Sequence, residues 1–128
     1  MIIDIITIFM INLEAKMDNK QFEKIVNEQL EVCKNVLCNK SKEYDFGKDR
    51  LHSFKAAAAF LNSTPEEALL GYMTKHLMSI SDMVHAVDNF TYEKFEEKIT
   101  DTMNYLLLLK GLLYERESQK VGVVNEES

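Results

Sequence analysis

The chain has no tryptophan, one proline and four glycines among its 128 residues. A sandwich or barrel reverses direction on Gly- and Pro-rich turns, so this scarcity excludes a turn-rich β protein and points to helices. Cysteine is nearly as rare. Cys33 and Cys38 lie on one predicted helix, match no zinc-ligand spacing and provide no disulfide framework, which suits a reducing cytoplasm. Positive charge is the third shortage: 15 Lys and Arg stand against 21 Asp and Glu, for a net charge of -6 and a pI near 5.1. Broad contact with a nucleic-acid backbone needs a basic surface and is not expected, whereas a free nucleotide bound through a metal stays compatible. Long hydrophobic runs are missing as well. Residues 1–13 are mostly apolar and β-branched, but they open without a basic residue, contain Asp4 and fall short of the roughly 20 residues of a membrane-spanning helix. No membrane segment is expected.

What is present suits one all-α domain, an antiparallel four-helix bundle with a single core. Residues 1–16 read as an apolar extension, either an added strand or a short packing helix, ahead of a bundle over residues 17–116. Asp18 and Gln21 fit a capping box, after which Phe22, Ile25, Val26, Leu30, Cys33, Val36 and Leu37 recur at helical spacing. Residues 39–47 are polar and form a connection. A second helix carries Leu51, Phe54, Ala58 and Leu61 and ends near Asn62, and its alanine run from Ala56 to Ala59 predicts a close helix crossing. Thr64, Pro65 and Glu67 make the clearest start, with Leu69, Tyr72, Met73, Leu77, Ile80, Met83, Val84 and Val87 on the apolar face that follows. Thr91 caps the last helix, on which Phe95, Ile99, Met103, Leu106, Leu109 and Leu113 share a side. Residues 117–128 show no period and are expected to be a mobile tail.

One polar line interrupts these faces. Glu97, Asp101 and Asn104 stand at i, i+4 and i+7, in the angular row that Leu108 and Leu112 continue, so two carboxylates and an amide turn toward an interior or a cleft. A sheltered carboxylate needs compensation by a metal ion, by Lys75, by His76 or by a ligand. His76 falls within the apolar stripe of the third helix. It reads either as a core histidine satisfied by one hydrogen bond or as a ligand contact. Lys75, Ser79 and Asp82 flank it at i, i+4 and i+7, as a solvated edge or as part of the same site. The loop and second helix add Lys42, Glu43, Tyr44, Asp49, Arg50, His52 and Lys55. In a recognition site the cations would neutralise phosphate, Tyr44 would stack on a base and acids would hold Mg²⁺ with substrate phosphates. In a plain solvated loop they would do none of this.

These residues define the leading expectation, a nucleotide-binding bundle that extends to Mg²⁺-dependent hydrolysis. Glu97 and Asp101 are then the metal ligands, Lys55 and Lys75 pair with phosphates, His76 or Asp82 orients a water or the ligand, and Asn104 supplies amide hydrogen bonds. Glu43, Tyr44 and Asp49 complete the ligand set. Two further classes remain open. One is a non-catalytic sponge or inhibitor meeting a host protein; the other is a helical homo-oligomer whose buried polar groups set register.

The pairs Glu28–Glu31 and Glu97–Asp101 resemble the acidic pairs of the all-α nucleoside triphosphate pyrophosphohydrolases of the MazG-like class, in which E-x-x-E and E-x-x-D pairs on bundle helices bind magnesium. This chain has E-x-x-x-D at the second pair, with Thr100 where the class places Asp. A longer resemblance covers residues 40–115, in K-x-E-Y, D-R-L-x-x-F-K-x-A-A, T-P-E-E-A-L, K-H-x-x-S-x-x-D-M and E-K-I-x-D-x-x-N-Y-L-L-L-L. That string is similar to small helical proteins encoded by bacteriophages and prophages of Gram-positive bacteria. It implies a phage accessory protein acting in the host cytoplasm, on the nucleotide pool or against a host defence system.

Overall fold

The computed structural model describes residues 2–14, 16–39 and 49–126. It is all-α, with five α-helices and no strand among the described residues. They are α1 (Ile2–Glu14), α2 (Asn19–Lys34), α3 (His52–Leu61), α4 (Pro65–His85) and α5 (Tyr92–Glu126). A π-helical turn at Asn35–Asn39 follows α2, and a 3₁₀ turn at Val87–Asn89 joins α4 to α5. The chain divides into two compact units, Met1–Val32 and Cys33–Ser128. No helix among the described residues is long and apolar enough to cross a membrane.

In the first unit the N-terminal segment is helical, the second of the two forms expected for it. The start of α2 is a reciprocal capping box: the Gln21 amide donates to Asp18 Oδ1 at 2.7 Å and the Asp18 amide donates to Gln21 Oε1 at 3.0 Å. This satisfies two backbone donors that a helix start leaves without partners. Of the expected apolar face of α2, Phe22, Ile25, Val26 and Leu30 are exposed, whereas Cys33 at its end is buried. Periodicity reports amphipathicity, which does not itself supply a partner.

The second unit is built on three helices. Leu69 of α4 is fully buried between Phe54 of α3 and Leu112 of α5, with Leu51, Tyr105, Leu108 and Leu109 packed around them. Phe54 meets Tyr72 and Tyr105 edge-on, with ring centroids 6.0 and 6.4 Å apart. Each helix boundary has a local cause. Asn62 closes α3 in the left-handed conformation at φ 52°, which lets the Ser63 amide donate back to the Ala58 carbonyl at 2.9 Å. Thr64 Oγ1 accepts from the Glu67 amide to open α4, and Thr91 Oγ1 accepts from the Lys94 amide to open α5.

Two ion clusters tie the helices. Lys55 donates to Asp49 at 2.7 Å and to Glu115 at 2.6 Å, joining the start of α3 to α5. Arg116 holds Glu66 with both prongs of its guanidinium at 2.7 Å, joining α5 to the first turn of α4. Glu66 meets Arg116 while His76 meets Asp101, so α4 and α5 run antiparallel. The segment expected as a tail continues α5 as helix to Glu126. Its residues through Val123 are exposed, which is why no apolar period marks them.

Truncating Leu69 to Ala removes the side chain shared by all three core helices, and chemical denaturation should show a loss of about 2–5 kcal/mol. Arg116 holds the Glu66 carboxyl below the usual glutamate range through its hydrogen bonds. A carboxyl with a lowered folded pKa stabilises the fold above its unfolded pKa, and this contribution is lost as pH falls through the folded value. Arg116→Met should therefore lose less stability on acidification than the parent chain, as read by thermal melts across pH 3–6 (a window of about three units around glutamate titration).

Candidate functional site

On α4, Ala68, Gly71, Tyr72, Lys75 and His76 recur at alternating steps of three and one, and so share one side of the helix. With Ala57 and Leu61 of α3 and Tyr105 of α5 they line a groove of ≈ 440 Å³. Ala57, Ala68 and Gly71 bring little side-chain bulk to it, so the helix backbones form much of the floor while the tyrosines supply wall. Of the alanine run only Ala57 lines the groove, while Ala58 is buried in the second unit. Lys75 is exposed and, among the described residues, brings the one cationic ammonium that lines the groove.

His76 closes the groove toward α5. Its ring lies 5.1 Å from that of Tyr105, tilted by 41°, and its Nδ1 is 3.6 Å from Asp101 Oδ2. That separation is too long for a hydrogen bond, and Nδ1 is buried without one. Asn104, one turn beyond Asp101 and 6% exposed, likewise leaves its Oδ1 buried without a hydrogen bond. Buried polar atoms normally find partners, so two such atoms near one helix seam mark an incomplete polar set. The Tyr105 phenol is pushed above its usual pKa, first by burial and then by the negative charge of Asp101.

The structure brings together Lys75, His76 and Asp101, with Asn104 on the following turn, and separates the rest. Glu97 is half-exposed and engaged by two lysines of its own helix, Lys94 at 3.0 Å and Lys98 at 3.8 Å. Lys94 holds its carboxyl below the usual range. Asp82 is exposed on α4 and does not line the groove. Lys55 and Asp49 serve the α3–α5 tie, where Asp49 also accepts from the Leu51 amide at 2.9 Å. Glu43 and Tyr44, with Lys42, lie outside the described residues. Glu28 and Glu31 are exposed in the first unit, where Glu28 pairs with Lys24 at 3.7 Å.

A magnesium ion wants several oxygen ligands in near-octahedral order. Among the described residues no group of three or more His, Cys, Asp or Glu side chains is arranged to hold a metal ion, and the Glu97 carboxylate is already neutralised by lysine. Tyr105 was missed by sequence reasoning although it stands at i+4 from Asp101, the same step that selected Asp101 from Glu97. The floor residues Ala68 and Gly71 carry no chemical signal of their own; only helix crossing makes them part of a site.

Comparison with known proteins finds no matching family model, no similar curated protein and no similar solved structure.

Asp101→Asn removes a negative charge beside the Tyr105 phenol. The Tyr105 pKa should fall toward the ordinary tyrosine value yet stay above it, because burial is the larger cause. Nuclear magnetic resonance of Cζ-labelled tyrosine reads this directly, and an unchanged Tyr105 titration would remove Asp101 from the neighbourhood assigned to it.

Proposed function

We propose that the groove between α3, α4 and α5 binds a nucleotide or a nucleotide-like anion. The observation that carries this reading is His76: it lines the groove, its Nδ1 is buried without a hydrogen bond, and Asp101 stands 3.6 Å away. A ligand that brings a hydrogen-bonding atom to this ring relieves a buried polar group that the protein leaves incomplete. Tyr72 and Tyr105 offer aromatic surface to a planar ring, and Lys75 at the groove offers charge to a phosphate. The volume of ≈ 440 Å³ falls in the range of small-molecule sites.

Hydrolysis with Mg²⁺, the activity implied by the resemblance of the acidic pairs, belongs to the proposal as its catalytic extension, and no step is routed through Glu97. The antiparallel four-helix bundle belongs to it too, with the apolar spacing of α2 as its support. Binding without turnover describes a ligand sponge, the class suggested by the resemblance to phage accessory proteins.

Isothermal calorimetry with a panel of nucleoside mono-, di- and triphosphates, with and without Mg²⁺, tests the reading. One member is expected to bind, and Lys75→Met should weaken it about tenfold, the loss of roughly one charge-assisted contact. Product analysis on the same mixtures separates enzyme from sponge. If no nucleotide binds and none raises the melting temperature, the groove is not a nucleotide site.

A further inference from the structure

The outer face of α5 carries a second pattern that the core does not use. Asn104, Leu108 and Leu112 turn inward, whereas Ile99, Met103, Leu106, Lys110 and Leu113 follow one another at alternating steps of four and three. This is the spacing of a coiled-coil seam. Ile99, Leu106 and Leu113 are 41%, 51% and 49% exposed, so no described residue of the second unit covers the seam. Leu107 and Tyr114 widen it on one side, at 44% and 77% exposed.

We propose that this seam is the contact face of a homodimer, in which α5 of one copy lies antiparallel to α5 of a second copy about a twofold axis at Leu106. The seam is self-complementary under that operation. Leu106 meets its own counterpart, and Ile99 meets Leu113 of the second copy, seven residues to either side of the axis. A twofold contact requires this property, since the same patch serves both copies.

Charge selects the antiparallel direction. A parallel pairing sets Lys110 against Lys110 at the same level of an apolar seam, where two ammonium groups lose water together. The antiparallel pairing sets Lys110 beside Met103 of the second copy, and the lysine stem lies along apolar surface while its ammonium reaches water. It also brings Lys98 opposite Tyr114, a cation facing an exposed aromatic ring. The helix is charged in the matching sense: residues 92–101 carry four acids against two bases, and residues 110–120 carry three bases against two acids.

The extent is that of an interface. The seam runs about 21 Å from Ile99 to Leu113 at about 1.5 Å per residue. Monomers rarely leave a contiguous apolar patch beyond a few hundred Å². Paired about Leu106, residues 92–120 of the two helices overlap, about 42 Å of contact length, and a stable contact needs roughly 800 Å² per partner.

The test uses the full chain carrying Cys38→Ser, with Cys33 left buried. Leu106→Cys should form a covalent dimer with a short bismaleimide. Co-expressed Ile99→Cys and Leu113→Cys chains should cross-link to each other, while Ile99→Cys alone should not. Light scattering should find a wild-type particle of twice the 14.8 kDa chain mass. Leu106→Lys should raise the concentration of half-dissociation roughly tenfold or more with its helical circular dichroism unchanged. A wild-type chain that stays monomeric, a dimer that Leu106→Cys fails to cross-link, or self-linking of Ile99→Cys would each overturn the proposal.

Discussion

Burial of Leu69 between Phe54 and Leu112 is the contact on which the second unit depends. It draws one side chain from each of α3, α4 and α5 into a single apolar cluster. Once α4 and α5 lie together there, their antiparallel direction sets His76 beside Asp101 and Tyr105 on successive turns away from the cluster. The groove is therefore a by-product of core packing. Ala57, Ala68 and Gly71 leave it open because they bring little side-chain bulk, and its walls include the rings of Tyr72 and Tyr105 that pack against Phe54.

The polar groups fall into two kinds. Lys55 with Asp49 and Glu115, and Arg116 with Glu66, are paired at short range and serve to hold helices in register. They are partly exposed, so each contributes less than its short distance suggests. His76 and Asn104 are the opposite kind, sheltered and each left with an atom that has no hydrogen bond among the described residues. The structural ties are satisfied, and these two atoms are not. That contrast, more than residue type, separates the lysine of α3 from the lysine beside the groove. It also separates Glu97, held by lysines of its own helix, from Asp101, which stands 3.6 Å from His76 of the neighbouring helix without a hydrogen bond to it.

Much of the fold was legible in the sequence because its signals are local. The Asp18–Gln21 box, the Thr64 cap with Pro65 and the Thr91 cap all act within one turn of chain, and each is found where the residues predicted it. The end of α3 at Asn62 follows from the tolerance of asparagine for the left-handed conformation. The reach of α5 to Glu126 was not legible, since an exposed helix has no apolar period to display. The uncovered face of α2 was legible as a face but not as an exposed one. An amphipathic stripe states a demand for burial without stating what meets it.

The candidate site divides along the same line. Sequence alone determined the helices, their starts, and the row in which Asp101 and Asn104 share a direction with the core, because helical geometry converts spacing into angle without further information. It also determined the acidic balance that argues against a nucleic-acid backbone as partner. Only the tertiary structure decided that Lys75, His76 and Tyr105 belong to one groove, that Lys55 and Asp49 belong to a tie, and that Glu97 answers to lysines of its own helix. Those outcomes depend on which faces of different helices meet, and that is set by the summed packing of residues far apart in the chain, with no single pair of letters recording it.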